Sequence, residues 1–570
     1  MRIRLGTLAY SICLLLSLTH LFAQTSSDHA AVEVATKVIR PEQIRAHIRF
    51  LADSLLKGRE PGTPGYDIAA RYVATELEGM GLRPGVSGSW FQAVPLQKAV
   101  TGAAASSVTL TVNGKEQKLA DAKDYVLSTW FGNAASIGEP TGAQSDVSAP
   151  AVFVGFGVTA PDQKYDDYAG VDVRGKIVVG FYGAPSTFPS TERAYYSDGV
   201  VKAKNAVAHG AVGVVSLMIP EDWKRYPWEW LVPQIQVGEM HWLDKNNVPH
   251  DFFPELRGNV LLSQHGGELL FAGSPKTLDQ AVADARAGKP QAFAMPVGVH
   301  IHTVAAQSVI QSSNIVAELK GSDPTLRDQY VVYTAHVDHL GICPAVEGDN
   351  VCHGALDNAS GTSTLLEIAR AYASLPHPPR RSVLFAFVTG EEMGLLGSDY
   401  FAHFPTVALK SIVANVNIDG APGTFFPMKD VVALGAEHSS LGEEVAAAAK
   451  LMGYDISPDP MPEEVSFIRS DQYSFVLQGV PAVDIEDGVK STDPKINGLE
   501  VIKKWLVTRY HTPLDNMEQP IDFDEAAKGA VMNFLVGYQV AQHDGVPSWN
   551  KGDFFGTTFG PRHAGSNSGE

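Results

Sequence analysis

Tyr330 to His339 reads YVVYTAHVDH, an apolar, β-branched and aromatic run that stops on His336 and Asp338. SVLFAFVTGEE, 382–392, and IVANVNIDG, 412–420, follow the same grammar, and NIVAEL, 314–319, adds a further apolar run. Continuous apolar runs of this length read as strands buried on both faces. TSTLLEIARAYA, 362–373, has the spacing of a helix between two of them. The pattern predicts an α/β fold, a mixed, mostly parallel sheet flanked by helices. In such sheets sites lie at the carboxyl ends of the strands, where these runs place their chemistry-bearing residues.

Five stretches carry that chemistry. TAHVDHLG (334–341), GALDNASG (354–361), TGEEMG (389–394), NVNIDG (ending at Gly420) and YHTPLDN (510–516) supply His, Asp, Glu, Glu, Asp and His in that order. Two divalent cations roughly 3.5–4 Å apart, polarising a carbonyl and activating water, need one bridging carboxylate and terminal His and carboxylate ligands. His336, Asp357, Glu392, Asp419 and His511 fill the ligand roles. A further carboxylate must stay off the metals to move protons. Glu391, beside a ligand and turned the other way, fills that role. Asp338, two residues past His336, suits a carboxylate that holds the imidazole in its ligating tautomer.

The order and flanks of these motifs resemble peptidase family M28, the co-catalytic zinc aminopeptidases, over about Ile44 to Phe534 with an inserted module. The resemblance implies a fold of the zinc aminopeptidase type and two divalent metal ions, with zinc the expected element. It implies that Asp357 bridges, that His336 and Asp419 complete one metal, and that Glu392 and His511 complete the other. It makes Glu391 the general base and Tyr510 the phenol that stabilises the oxyanion. It also implies a cis peptide between Asp357 and Asn358, and a substrate contact for Arg469, for which a salt bridge to Asp471 or another surface acid is the plain alternative. Bacterial relatives often read GADDNASG; Leu356 replaces the first of those acids and leaves the metal position, Asp357, in place.

Other candidates read more plainly. His339, His353 and His302 are expected to be hydrogen-bonded residues outside the metal set. Ser360 and Ser363 lack the GxSxG elbow of a serine nucleophile, and Ser360 reads as the N-cap of the following helix.

The first residues, MRIRLGTLAYSICLLLSLTHLFAQ, combine early arginines, a short apolar run and a small residue at Ala23. They read as a signal peptide over 1–23, so the chain is expected to be exported, to periplasm or medium. No later run is long enough for stable membrane insertion. The formal net charge of -19 disfavours nucleic acid and anionic membrane as partners; a peptide substrate is the expected partner, and the oligomeric state is left open. Cys13 falls in the leader, which leaves Cys343 and Cys352 as an even pair in an oxidising compartment. A disulfide closing the loop between His336 and Asp357 is the expected use.

At 570 residues, two domains are expected. PEQIRAHIRFLADSLLKGREPGTPGYDIAARYVATELEGMGL from Pro41 reads as helix, loop, helix, with Ile68, Tyr72, Val73, Leu77 and Met80 near one face of the second. From about Ala149 the texture becomes β-rich and glycine-punctuated, and Val173 to Leu217 resembles a protease-associated domain. Its aromatic stretch YPWEWLVP, 226–233, fits either a lining of the substrate path or a packed cluster. The expected division is a discontinuous peptidase domain over 41–135 and 305–545, an inserted β-rich protease-associated domain over 140–300, and a flexible tail over 550–570. The leading expectation is an exported two-metal aminopeptidase. A carboxypeptidase or dipeptidase on the same scaffold, or a non-catalytic receptor or scaffold, are the alternatives.

Overall fold

The computed structural model describes residues 30, 33–35, 37–129, 143–289 and 291–560; the leader expected at 1–23 lies outside them. The strand Tyr330–His336 is the keel. It runs parallel to Ser382–Val388 on one side and to Ile412–Asn417 on the other, and Ile412–Asn417 is parallel to Ala482–Asp487. Asp430–Leu434 and the end of Phe293–Leu319 add antiparallel neighbours, so the sheet is mixed with a parallel centre.

All seven residues of Tyr330–His336 and of Ser382–Val388 are buried, which is why both runs are apolar without alternation. The strand period still sorts them. Val331, Tyr333, Ala335, Phe385 and Phe387 pack with residues of the helices Gly361–Ala373 and Phe523–Gln542. Val332, Leu384, Ala386 and Val388 join a separate layer with Phe401, Phe475 and Phe555. Tyr333 Oη donates to the Asn533 carbonyl at 3.0 Å. A Cβ on Gly537 would lie 2.1 Å from that hydroxyl, so glycine sets the helix-to-sheet spacing here.

The helices Pro41–Leu51 and Pro64–Gly79 form as the sequence indicates, each with proline in its first turn. The buried face of the second is rotated from the expected one. Tyr66, Ala69, Ala70, Val73, Ala74 and Leu77 are buried, while Ile68 is 47% exposed. Small alanines admit the neighbouring helix, which a search for large apolar residues overlooks.

Phe293–Leu319 is one strand of 27 residues. It pairs first with Ala143–Phe153 and Ser107–Val112, then with Phe91–Thr101, and finally with Ser382–Val388. One backbone therefore ties the β-rich segment to the parallel sheet, through the 300–305 boundary read from the sequence. The β-rich segment has its own core around Phe153, Val179, Phe181, Val260 and Ile301. Val108, Leu110, Leu119, Tyr125 and Leu127, expected within the 41–135 segment, pack into that core too. The alternation in SVTLTV is the same whichever sheet receives it; only the partner strand decides.

The tail corrects an expectation. Phe554–Phe559 is a helix whose first turn is capped by Asp553 Oδ1, and Phe555 is fully buried against Phe467 and His438. The phenylalanines hold residues 553–559 to the sheet, and the glycines and serines that suggest mobility lie mostly in 561–570, outside the described residues.

Candidate metal centre

His336 is the last residue of its strand, and Thr362 Oγ1 donates to its carbonyl at 2.7 Å. Its Nε2 lies 3.3 Å from Asp419 Oδ1, 3.5 Å from Asp357 Oδ1 and 3.8 Å from Glu391 Oε2. His511 Nε2 stands 3.2 Å from Asp357 Oδ2 and 3.1 Å from Glu392 Oε2. The Asp357 carboxylate thus turns one oxygen to each imidazole. The structure brings His336, Asp357, Glu391, Glu392, Asp419 and His511 into one cluster from five separate stretches, at the carboxyl ends of the parallel strands.

The local backbone explains how Asp357 is presented. The Asp357–Asn358 peptide is cis. Asn358 Oδ1 accepts the N–H of Gly361 at 2.9 Å and that of Gly420 at 2.8 Å, tying the helix start to the loop of Asp419. A Cβ on Gly361 would meet Asn358 Oδ1 at 2.1 Å. Asn358, and not Ser360, therefore serves the helix start. Ser360 Oγ donates back to the Leu356 carbonyl at 2.6 Å and accepts from Ala421 N at 2.9 Å. Asp515 accepts the N–H groups of Leu356 and Asp357 at 3.0 Å each.

Asp338 does a different task from the one expected. Its carboxylate accepts the backbone N–H of Glu391 at 3.3 Å and of Glu392 at 3.4 Å. His336 Nδ1 lies nearer the Asp338 carbonyl, 3.3 Å, than its carboxylate, 3.9 Å. The side chain aims at the glutamate loop because the chain has already left the strand. Glu391 faces the cluster with its Oε2 toward His336, while its neighbour Glu392 is turned toward His339 and His511.

His339, expected outside the set, belongs to the cluster. Its Nδ1 hydrogen-bonds Glu392 Oε1 and lies 4.0 Å from Asp357 Oδ2. His353 does not: it bonds the Ala52 carbonyl and Asp349. His302 pairs with Asp146 on the β-rich sheet. Arg59, fully buried, donates to the carbonyls of Val337, His353 and Gly354, so it braces both loops that carry the site. Tyr510 stacks on His511 with centroids 3.7 Å apart, and Arg469 Nη2 donates to Tyr510 Oη at 3.2 Å. Arg469 also pairs with an acid other than Asp471, Glu464, at 4.0 Å. Cys343 and Cys352 are joined in a disulfide across the Ile342–Val346 and Asp349–Val351 hairpin.

Four carboxylates surround three imidazoles, and each answers to the others. Burial opposes the charge on Asp357, but His336, His511 and His339 hold it well below the usual range. Glu392 sits at about 2 despite burial and the nearby Asp357, owing to His511 and His339. His511 is pushed up to about 10, Glu392 and Asp357 outweighing its burial. Burial pushes Glu391 well above its usual range, helped by Asp419 and Glu392 against the pull of His336. Asp357 Oδ2, His511 Nε2 and His339 Nε2 are buried without a hydrogen bond. Buried polar atoms in proteins are mostly satisfied, and these three, converging in one cluster of imidazole and carboxylate, fit cations. Ligating atoms of His336, Asp357 and Asp419 lie within 4.8 Å of one another, and so do those of His339, Asp357 and Glu392.

Residues 314–533 match the model of peptidase family M28. Aminopeptidase YwaD of Bacillus subtilis is 28% identical over 214 residues, covering 36% of this chain and 40% of that protein. A probable zinc metalloprotease of Pyrenophora tritici-repentis is 35% identical over 111 residues, 19% of this chain and 24% of that protein. The chain thus spans less than half the length of these curated relatives. An aminopeptidase from Aneurinibacillus sp. strain AM-1 superposes with a TM-score of 0.52 at 21% identity, covering 90% of this chain and 97% of that one, which shows a shared fold.

Proposed function

Because residues 314–533 belong to peptidase family M28, we propose that the chain is an exported two-metal aminopeptidase that removes amino-terminal residues from peptides. The observation that carries this is the double aspect of Asp357, with Oδ1 toward His336 and Oδ2 toward His511. A carboxylate so placed suits a bridge between two cations. His336 and Asp419 would hold one ion, and Glu392 and His511 the other. His511 is preferred over His339 because it reaches both Asp357 and Glu392, whereas His339 Nδ1 is engaged with Glu392 and orients it. The donor set of imidazole and carboxylate suits zinc, in keeping with the names of the relatives.

Cations bound there would polarise the scissile carbonyl and lower the pKa of a water. Glu391, facing the cluster from beside Glu392, is the group that takes a proton from the attacking water and returns it to the leaving amine. Burial that raises its proton affinity suits a group that must hold a proton between two steps. Tyr510 Oη donates to the developing oxyanion, with its phenol fixed by stacking on His511 and by Arg469. Arg469 is in reach of a substrate at the same point. Residues 140–300 act as a protease-associated domain that shapes the approach. Arg225 Nε pairs with Glu464 Oε1 at 3.0 Å, so the aromatic stretch at 226–233 is pinned to the loop that bears Arg469.

The test is hydrolysis of a peptide series with free or acetylated amino termini, before and after chelation and zinc restoration. Release of the first residue from free peptides only, lost with chelation, supports the reading. Release from the carboxyl terminus would make the chain a carboxypeptidase; cleavage confined to dipeptides, a dipeptidase; and no hydrolysis by the zinc-loaded chain, a receptor or scaffold.

A further inference from the structure

Among the described residues outside the Asp357 cluster, one other group of side chains has the geometry of a metal site. Asp399 and His403 stand four residues apart on the helix Leu396–His403, on one face. His250 comes from the β-rich segment, after the strand Glu239–Trp242. His250 Nε2 lies 3.4 Å from Asp399 Oδ2, and His403 Nδ1 lies 3.3 Å from Asp399 Oδ1. One ligating atom from each of the three is within 4.8 Å of the other two.

We propose that His250, Asp399 and His403 bind a zinc-class transition-metal ion that staples the β-rich segment to the peptidase helix. Both separations exceed the usual 2.7–3.2 Å of an N–H···O hydrogen bond. The separation of His403 Nδ1 from Asp399 Oδ1 matches the edge of a tetrahedron, about 3.3–3.4 Å, that follows from metal–ligand bonds of about 2.0–2.1 Å. Two imidazole nitrogens and one carboxylate oxygen select zinc, cobalt or nickel over magnesium or calcium, which take oxygen ligands. Asp251 Oδ2, 3.3 Å from His250 Nε2, stands ready as a fourth ligand or as a partner for a bound water.

The supporting residues fix the rings as a metal site requires. Trp242 stacks on His250 with centroids 4.0 Å apart and planes 12° from parallel, and its Nε1 donates to Asp399 Oδ2 at 2.7 Å. That bond leaves Asp399 Oδ1 for the ion. His403 Nδ1 also faces the Asp399 carbonyl at 2.8 Å, and its Nε2 lies 3.3 Å from Gln478 Nε2. Binding through Nδ1 moves the imidazole proton to Nε2, where the Gln478 amide, turned over, offers its oxygen. With side-chain exposures of 28% for His250 and 29% for His403, the ion enters from solvent.

An ion held only by the folded chain stabilises it by mass action. Chelated full-length protein, titrated with zinc chloride and followed by bound-metal analysis and thermal unfolding, tests the proposal against His403→Gln and His250→Gln. The expected result is one zinc equivalent fewer in each variant than in the native chain, a smaller zinc-dependent rise in unfolding temperature, and unaltered peptide hydrolysis at saturating zinc. Because the readout is a difference between chains, it is independent of how many ions the Asp357 cluster binds. Should one variant fail to fold, the other carries the same expectation. Equal zinc in the native chain and a folded variant overturns the proposal.

Discussion

Asp515 Oδ2 accepts the backbone N–H of Asp357 at 3.0 Å, so a carboxylate 158 positions away sets where the central acid of the cluster sits. The same side chain serves Leu356 N and accepts from Gln519 Nε2. Asp515→Ala strips these donors of their acceptor, at about 1–3 kcal/mol for each buried group left unsatisfied. The variant should unfold at lower temperature and retain less zinc. Thermal unfolding with metal analysis reads both; native values for both would show that other contacts hold the loop.

Glu391→Gln keeps the shape of the side chain and removes its proton chemistry. With metal content unchanged, turnover should fall by about 100- to 10,000-fold. Near-native turnover in the zinc-replete variant would remove Glu391 from the role of base.

Much of this was legible because buried parallel strands announce themselves as apolar runs and the site sits where they stop. His336, Glu391, Glu392 and Asp419 each follow such a run. What the sequence hid is set by distant partners. His339 lies past the strand end, where alternation no longer says which way a side chain points. Asp515 stands in the quoted YHTPLDN stretch, yet its task is to accept N–H groups of residues 356 and 357. The 27-residue strand Phe293–Leu319 includes AAQSV and QSS, polar enough to read as a link, and only its pairing with Phe91–Thr101 keeps it extended.

The Cys343–Cys352 bond closes a loop with a sequence separation of nine. Loop-closure entropy puts its contribution at about 2–3 kcal/mol. A Cys343→Ala/Cys352→Ala chain should lose that much in a denaturant titration. Peptide mapping without reductant should recover the linked pair from the native chain; two free thiols there would contradict the assignment.

Burial pushes Asp487 up to about 7, with Asp430 and Glu525 adding to it against the hydrogen bond from Gly423 N. An unfolded aspartate releases its proton near pH 3.9. Between about pH 4 and pH 7 the folded chain keeps a proton that the unfolded chain has lost, so this group's contribution to stability falls as pH rises. Asp487→Asn keeps an acceptor for Gly423 and cannot ionise. Its stability relative to the native chain should improve from about pH 5 to about pH 8, by on the order of 1 kcal/mol or more. Denaturant titrations at the two pH values check this; a pH-independent difference would contradict it.

The central claim is that Asp357 stands between two cations. Anomalous diffraction at the zinc edge from crystals of the zinc-loaded chain tests it most directly. The account predicts two peaks roughly 3.5–4 Å apart, one beside His336 and Asp419 and the other beside Glu392 and His511, with the Asp357 carboxylate between them. A single peak in this cluster, or a pair that leaves Asp357 out, would contradict it.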